Sequence, residues 1–395
     1  MIKYIDSLKV EDKRVFLRVD FNVPLDKGQI TDDKRIQAAL PTIKYLLQNK
    51  AKLIVASHLG RPKGEKRPEF SLAPVAERLG SLIGIKVKMA PDCIGKEVEQ
   101  MASELRSGEI LMLENLRFYK GETENDPEFA DALARFCEIY VNDAFAVSHR
   151  AHASVVGIPE RVSDCGAGFL MKQEITYFER AMESPERPFL AILGGAKVSS
   201  KLGAIENILP KVDSLIIGGA MANTFLVAKG VNVGKSLVED ELVDTAKNII
   251  DEAERAKVRF ILPIDVVVSD TLSSDADYET VSIKDIPNDK MIVDIGPDTV
   301  KLCKDIIKEV KTIVWNGPVG AFEIEPFSRG TFELAKAVGS SSALSIIGGG
   351  DTGAAIKKAG ESDNVSYIST GGGAFLKLLE GKKLPGFEAL EKCGG

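Results

Sequence analysis

The chain has 395 residues, of which 44% are hydrophobic, and a formal net charge of −7. This length predicts two or three domains, and the apolar content excludes a largely disordered chain. The acidic balance argues against a nucleic-acid-binding protein, because that class carries a basic patch or stripe. The first residues are charged, and no apolar run approaches about eighteen residues, so we expect no secretory signal, no membrane span and a cytoplasmic location.

The five cysteines are Cys93, Cys137, Cys165, Cys303 and Cys393. No two of them form a CxxC pair, which argues against a zinc site or a redox motif of that type. We therefore expect reduced thiols in a reducing compartment.

Short apolar runs recur along the chain and predict strands. They cover residues 15–19, 53–56, 110–113, 139–141, 189–193, 214–217, 260–262, 291–295, 312–315, 344–347 and 365–368. Runs without polar alternation are typical of strands that are buried on both faces in parallel sheets. Helical spacing between the runs, as at 36–47 and 242–253, indicates a doubly wound α/β fold. The strands are too many for one such sheet, so we predict two parallel-sheet (Rossmann-like) domains.

The middle of the chain interrupts this alternation. In 170–183, Met171, Ile175, Phe178 and Met182 lie on one helical face, and the segment SPERP follows. This pattern predicts an interdomain helix and a stiff linker at 170–184. The first domain would then cover 1–169, and the second would begin at 185.

Charged and polar residues follow the predicted strands of the first half. The motifs are RVDFNVP, SHLGRP, ENLRF, YVNDAF and SHRAHAS, and the candidate binding residues are Asp20, Asn22, Arg35, His58, Arg61, Arg117 and Arg150. Ligands of open α/β sheets bind beyond the carboxyl ends of the strands, and guanidinium groups match carboxylates and phosphates. Each arginine alone is more simply a solvated surface residue. Together, at successive strand ends, they predict a pocket for a small, multiply charged anion.

All three histidines fall in these segments. We predict ligand contact for His58 and a structural hydrogen bond for His149, and His152 could serve either purpose.

The second half carries glycine clusters instead. They read LGGAK, IIGGA, WNGPVG, IIGGGDT and STGGGA. Glycine lets backbone amides approach a phosphate, and the N-terminus of a helix favours an anion. One such cluster is more simply a tight turn, whereas five in one half favour nucleotide binding. Asp351 could cap a helix or face Mg²⁺ carried by nucleotide phosphates, and Lys197 and Lys201 would share one face if helical.

Several familiar nucleotide motifs are missing. The segment 230–236, GVNVGKS, has three residues between its glycines, where a Walker A loop requires four. No GxGxxG follows the first predicted strand, which argues against an NAD-dependent dehydrogenase. No HRD and DFG pair exists, which excludes a protein kinase.

Taken together, the motifs resemble those of the phosphoglycerate kinase family. The matches, including LGGAKV, FE before a turn and LEGKKLPG, follow the family's order and span nearly the whole chain. One departure is Ala146, Val147 and Ser148, where the family often has Gly-Thr-Ala. The resemblance implies a monomeric enzyme of glycolysis that transfers a phosphoryl group reversibly between 1,3-bisphosphoglycerate and MgADP, giving 3-phosphoglycerate and MgATP. It also implies a nucleotide domain at 185–375 and a tail, 376–395, that returns to the first domain.

The resemblance also implies residue roles. The 3-phosphoglycerate site would use Asp20, Asn22, Arg35, His58, Arg61, Arg117 and Arg150. The nucleotide site would use Lys201, Gly218, Gly219, Asn316, Pro318, Glu323, Gly349, Gly350, Asp351 and Thr352, with Glu323 on the ribose and Asp351 facing magnesium. Catalysis would depend on Arg35, Lys197 and Lys201, helped by the amides of Gly371, Gly372 and Gly373. A hinge would have to close, with 170–183 and 185–188 as candidates.

Two other interpretations are a hinged ligand-binding module and a catalytically inactive, nucleotide-sensing relative of the family. The absence of a signal segment argues against the first, and a turnover measurement would test the second.

Overall fold

The structure is a computed structural model that describes residues 1–393. The chain divides into two compact units, one formed by Met1–Ile175 with the C-terminal segment from Lys383, the other by Thr176–Lys382. The predicted interdomain helix, Phe169–Met182, contributes residues to both units. Residues 376–382 belong to the second unit: 376–379 complete the helix Gly372–Leu379, which packs on another helix of that unit, and 380–382 follow it directly.

The first unit is built on a six-stranded parallel sheet. Its strands are β1 (Arg14–Arg18), β4 (Lys52–Ala56), β5 (Lys88–Met89), β6 (Ile110–Met112), β7 (Ile139–Asn142) and β8 (Asp164–Ala167), and β2 (Leu25–Asp26) pairs with β3 (Gln29–Ile30) in a separate hairpin. The order in the sheet is β5-β6-β4-β1-β7-β8. Leu17 of β1 stands between Val55 and Val141 in register, and all three are fully buried. Burial on both faces explains the unbroken apolar runs.

Helices connect these strands. They are α1 (Lys34–Gln48), α2 (Ala73–Ile83), α3 (Lys96–Ser103), α4 (Lys120–Glu124), α5 (Pro127–Ala134) and α6 (Phe169–Met182). Short 3₁₀ turns lie at Ile5–Ser7, Pro68–Phe70, Leu116–Phe118, Phe145–Val147 and Pro159–Arg161, and one π-helical turn covers Ala153–Gly157. Ile36, Ile43 and Leu46 of α1 are fully buried, with a spacing that matches the helical period.

The second unit contains a second parallel sheet and a smaller antiparallel one. Its strands are β9 (Phe189–Leu193), β10 (Ser214–Ile217), β11 (Arg259–Ile261), β12 (Asp265–Ser269), β13 (Tyr278–Ser282), β14 (Met291–Ile295), β15 (Thr312–Asn316), β16 (Leu344–Gly348) and β17 (Tyr367–Ile368). The parallel sheet has the order β11-β10-β9-β15-β16-β17, and β13-β12-β14 form the other. The predicted run 291–295 therefore does not join the parallel sheet, because β14 pairs antiparallel with β12.

The helices of this unit are α7 (Leu202–Ile208), α8 (Met221–Ala228), α9 (Val243–Arg255), α10 (Pro297–Glu309), α11 (Arg329–Gly339), α12 (Gly350–Lys358) and α13 (Gly372–Leu379). Short 3₁₀ turns lie at Leu209–Lys211, Asp240–Leu242 and Glu325–Phe327. The central strand β15 carries Trp315, which is fully buried and donates from Nε1 to the Gly317 carbonyl at 2.7 Å. The predicted fold class, two doubly wound parallel-sheet domains, is confirmed. No helix in the described part of the chain is long and apolar enough to cross a membrane.

The last helix, α14 (Pro385–Cys393), belongs to the first unit. A disulfide joins its Cys393 to Cys165 of β8, with the Cα atoms 5.9 Å apart. The expectation that every cysteine is a free thiol is therefore wrong for this pair. A separation of 228 residues gives no local spacing from which the pairing could be read. Cys93, Cys137 and Cys303 are free and buried.

Candidate active site

Charged side chains meet at the carboxyl ends of β1 and β4 in the first unit. The Arg35 guanidinium, in the first turn of α1, forms an ion pair with the Asp20 carboxylate, which follows β1. Asp20 Oδ1 also accepts a hydrogen bond from the Asn22 amide at 3.2 Å and lies 3.8 Å from His58 Nδ1. Asn22 Oδ1 accepts from the Gly60 amide at 2.8 Å, which ties the loop after β1 to the loop after β4.

Arg117 extends this group from the turn that follows β6. Its Nη1 donates to the Gly60 carbonyl at 2.8 Å, and the side chain is almost fully buried. Burial first, and then the nearby charges of Arg18 and Arg150, lower the pKa of Arg117 to about 10, so it remains a cation at neutral pH. Among the described residues, no group accepts a hydrogen bond from the buried Nε of Arg117. This guanidinium is therefore incompletely paired within the fold.

We call Asp20, Asn22, Arg35, His58, Arg117 and Arg150 the cationic site. Arg150 is half-buried and donates from Nε to His149 Nε2 at 3.3 Å. Arg61, the remaining predicted arginine, is exposed in the loop after β4. The structure thus joins most of the predicted anion-binding residues at one edge of the sheet.

The environment of His58 favours the neutral imidazole. Burial first, and then the positive charges of Arg18, Arg117 and Arg35, hold its pKa well below the ordinary value for an imidazole. His58 Nδ1 also lies 3.3 Å from Nη2 of Arg18. A neutral imidazole can accept one hydrogen bond and donate another, so His58 suits ligand contact better than charge neutralisation.

Sequence reasoning missed a buried network behind the cationic site. Arg18, the last residue of β1, is fully buried and donates from Nε to Ser154 Oγ at 2.8 Å. Glu122 is also fully buried and accepts from the amide and the hydroxyl of Ser154 at 3.0 and 2.7 Å. Burial opposes ionisation of Glu122, but His152, Arg18 and Ser154 outweigh it and lower its pKa. The available signal was Arg18 itself, a charge inside an apolar run.

In the second unit, glycine turns bring backbone segments into contact at the carboxyl ends of the strands. A β-carbon on Gly194, after β9, would lie 2.1 Å from the Pro318 carbonyl oxygen. Gly219 follows β10 with a φ of +70°, and a β-carbon there would lie 2.6 Å from the Gly195 carbonyl oxygen. Gly218, beside it, is buried, and its β-carbon would meet Val319 at 2.6 Å. Only glycine fits these approaches without a backbone shift.

Lys197 and Lys201 precede α7, and Leu202 is the first residue of that helix. They therefore do not share a helical face, which corrects that expectation. Lys197 is exposed, whereas Lys201 is partly buried and donates from Nζ to Oδ1 of Asn316. Burial lowers the pKa of Lys201 to about 8, although the charges of Asp351 and Glu380 act to raise it.

The N-termini of α12 and α13 lie side by side. A β-carbon on Gly372 would lie 2.8 Å from the Gly349 Cα atom, and Gly349 itself has a φ of +96°. Thr352 Oγ1 accepts from the Gly317 amide at 2.7 Å, which ties α12 to the turn after β15. Gly350 and the exposed Asp351 open α12, and Gly373 follows Gly372 in α13. Amides and helix N-termini that converge in this way are suited to bind phosphate groups.

A cavity of about 380 Å³ adjoins these turns. Its polar lining includes Asp351, Glu323 and the backbone of Gly219 and Pro318, and its apolar wall includes Leu226, Leu237, Val266, Leu272 and Met291. An apolar wall with a few polar groups at its edge suits a nucleobase and a sugar. A larger open groove of about 750 Å³ lies in the first unit beside Asp33 and Arg78, which already pair with each other. We therefore assign no substrate to that groove.

One unit presents clustered cationic side chains that suit an anion, and the other presents glycine turns and helix N-termini that suit phosphate groups beside an apolar cavity. These features define an α/β phosphotransferase. Residues 5–382 match the family model described as phosphoglycerate kinase. The chain is 58% identical over 396 residues to the phosphoglycerate kinase of Geotalea daltonii, covering 100% of this chain and 99% of that protein. The chain belongs to the phosphoglycerate kinase family.

Other relatives and solved structures agree. The phosphoglycerate kinase of Geobacter sp. (strain M21) is 56% identical over 395 residues, covering 100% of this chain and 99% of that protein. The structure of the Coxiella burnetii phosphoglycerate kinase superposes with a TM-score of 0.93 at 44% identity and covers 100% of both chains. The Pyrococcus horikoshii OT3 enzyme gives a TM-score of 0.83 at 33% identity and covers 99% of both. The family resemblance seen in the motifs is confirmed.

Proposed function

We propose that this enzyme transfers a phosphoryl group reversibly between 1,3-bisphosphoglycerate and MgADP, giving 3-phosphoglycerate and MgATP. Membership of the family supports this reaction. The observation that carries it in the structure is the meeting of Arg35, His58 and Arg117 at the end of one parallel sheet. A substrate with a carboxylate and a phosphate requires several cationic and hydrogen-bonding groups in one place.

The cationic site would bind 3-phosphoglycerate. The guanidinium groups of Arg117 and Arg150 would receive phosphate oxygens, with Arg61 reaching in from its exposed loop. Asp20 and Asn22 would accept and donate hydrogen bonds at the substrate hydroxyl and carboxylate. His58, whose pKa is lowered by burial and by nearby cations, would add a hydrogen bond in its neutral form without adding charge.

The second unit would bind the nucleotide. The base would lie in the apolar cavity, with Glu323 on the ribose hydroxyls. The phosphates would lie against Gly218, Gly219, Asn316, Pro318 and the α12 N-terminus, formed by Gly349, Gly350, Asp351 and Thr352. Favourable interaction of amides and helix dipoles with anions supports this placement.

Magnesium would enter with the nucleotide. Within the described residues, no group of three or more His, Cys, Asp or Glu side chains is arranged to hold a metal ion. Mg²⁺ commonly uses one or two carboxylates together with phosphate oxygens, and the exposed Asp351 at the start of α12 fits that need. When bound, the ion would offset phosphate charge.

The chemistry requires charge neutralisation rather than a general base. In the ATP-consuming direction, a carboxylate oxygen of 3-phosphoglycerate attacks the γ-phosphorus, and the bond to the bridging β-phosphate oxygen breaks as ADP leaves. The carboxylate is already ionised at pH 7, so no proton need be removed. Arg35, Lys197 and Lys201, with the amides of Gly371, Gly372 and Gly373, would stabilise the charge on the transferring group.

A coupled assay tests this proposal. Purified enzyme should consume MgATP only when 3-phosphoglycerate and magnesium are both present. The Lys201→Ala variant should lose most of that turnover, whereas Lys247→Ala, which changes an exposed lysine on α9, should retain it. A folded wild-type protein without 3-phosphoglycerate-dependent turnover would contradict the proposed function.

We also propose that the enzyme acts as a monomer in the cytoplasm, as the family resemblance implies. The mass in solution, measured by light scattering during gel filtration, tests the first statement. Fractionation of cells of the source organism tests the second.

A further inference from the structure

Glu122 is a buried carboxylate directly behind the cationic site. It lies in the short helix α4, five residues after Arg117, and its side chain is fully excluded from solvent. Its two oxygens accept from the Ser154 amide at 3.0 Å and from the Ser154 hydroxyl at 2.7 Å. His152 Nδ1 lies 3.6 Å from the same carboxylate. All of these contacts are buried, so none of them is a surface ion pair.

The buried Glu122 carboxylate compensates the positive charge of Arg18. The Arg18 guanidinium is also fully buried, and its Nη2 lies 3.8 Å from Glu122 Oε1 and 3.3 Å from His58 Nδ1. A buried guanidinium is retained only where an opposite charge and hydrogen-bond acceptors compensate for its lost hydration. Ser154 Oγ accepts from Arg18 Nε and donates to Glu122, so one hydroxyl links both charges.

We propose that Glu122 is a positioning residue for the binding of 3-phosphoglycerate. It holds Arg18 against His58, and it accepts two hydrogen bonds from Ser154 in the segment that follows Arg150. This inference rests on the proposed function of the cationic site and adds to that site a residue that does not touch the substrate.

The chain of contacts explains why the effect should be specific to one substrate. Glu122, Arg18, His58 and Ser154 all belong to the first unit, whereas the proposed nucleotide residues belong to the second. Without the Glu122 charge, the buried Arg18 guanidinium keeps two neutral acceptors, the Ser154 hydroxyl and the Val19 carbonyl, but loses the opposite charge that holds Nη2 in place. His58, 3.3 Å away, then loses the neighbour that fixes its ring.

Glu122→Gln tests this role because it keeps the shape and an acceptor for the Ser154 amide but removes the charge. We expect the KM for 3-phosphoglycerate to rise about tenfold or more, a change equivalent to ~1.4 kcal/mol in binding free energy. The KM for ATP should stay within about twofold, which falls inside the usual scatter between non-interacting sites. Glu122→Asp, which keeps the charge, should recover part of the loss.

The matched control is Glu124→Gln, which removes an exposed carboxylate from the same short helix. It should leave both KM values unchanged. Calorimetric binding of 3-phosphoglycerate to each variant, without nucleotide, measures the same effect independently of turnover. An unchanged or lower KM for 3-phosphoglycerate in folded Glu122→Gln would overturn the inference.

If Glu122→Gln does not fold, a second variant tests the inference. Ser154→Ala removes only the hydroxyl that links Arg18 to Glu122 and should raise the KM for 3-phosphoglycerate in the same direction. Normal affinity for 3-phosphoglycerate in Ser154→Ala would then overturn the inference. A different result would contradict the proposed function, namely the absence of 3-phosphoglycerate-dependent turnover in the wild-type enzyme.

Discussion

Lys201, just before α7, donates a hydrogen bond from Nζ to Oδ1 of Asn316, the last residue of β15, across 115 residues of sequence. This contact holds a partly buried ammonium beside the turn after β15. Because burial lowers the pKa of Lys201 to about 8, its charge is within reach of a pH titration.

The first prediction concerns this charge. Lys201 is a cation below its pKa and becomes neutral as the pH rises through about 8. If its charge stabilises the transferring phosphoryl group, kcat/KM for ATP should fall above that pH, since this parameter reports the free enzyme. Lys201→Arg keeps a positive charge at every accessible pH. Its kcat/KM for ATP should therefore not decrease near pH 8, whatever its absolute value. The same decrease in kcat/KM in the wild type and in Lys201→Arg would show that another group titrates.

The second prediction concerns Arg35, which is paired with Asp20. Arg35→Ala should lower kcat about 100-fold, in the range found when one charge-stabilising donor is removed. The dissociation constant for ATP should remain nearly unchanged, since the proposed nucleotide residues belong to the other unit. Arg106→Ala, which changes an exposed arginine of the same unit, is the control and should behave as wild type. An unchanged kcat in Arg35→Ala would remove Arg35 from the catalytic group.

The third prediction concerns the close backbone approach at Gly194. Gly194→Ala places a β-carbon 2.1 Å from the Pro318 carbonyl oxygen and forces the turns after β9 and β15 apart. We expect a loss of about 2 kcal/mol or more in the free energy of unfolding, typical of overpacking against backbone. Gly350→Ala is the control, because a β-carbon there meets no atom within 4 Å and φ is not positive. Equal melting temperatures for both variants would contradict the prediction.

The fourth prediction concerns the disulfide between Cys165 and Cys393. It closes a long loop of 228 residues and ties α14 to β8, so reduction should destabilise the first unit. We expect a decrease of about 2–4 kcal/mol in the free energy of unfolding, measured with and without a thiol reductant. Cys393→Ser should match the reduced wild type and be insensitive to reductant.

Cys303→Ser serves as the control for that experiment, because Cys303 is a free, buried thiol of the other unit. This variant should retain the wild-type response to reductant. Wild-type protein with the same stability under oxidising and reducing conditions would show that the disulfide does not restrain the fold.

Parallel strands were accessible to prediction because burial on both faces leaves a continuous apolar signature in the chain. The predicted runs 189–193 and 214–217 coincide with β9 and β10. Other strands carry no such signature. β5 has only two residues, and β13 is a mostly exposed strand, YETVS, whose pairing with β12 defines it. Such strands form because they pair with neighbouring strands, and their own composition does not predict them.

The motifs of the candidate site were also accessible, because each occupies a short contiguous segment after a strand. The residues that these motifs contact could not be predicted from the sequence. The exposed position of Arg61, the placement of Lys197 and Lys201 outside a helix, and the buried Nε of Arg117 depend on neighbouring segments. Exposure and hydrogen bonding follow from packing, which a local pattern does not specify.

The sequence by itself therefore determined two parallel α/β domains, the family, and the segments that could bind an anion and a nucleotide. Only the tertiary structure decided that Glu122 and Ser154 compensate the buried Arg18, and that Cys165 bonds to Cys393. The physical reason is the same in both cases. Charge compensation and covalent pairing depend on distances of a few ångströms between groups that are far apart along the chain, and only the packed fold sets those distances.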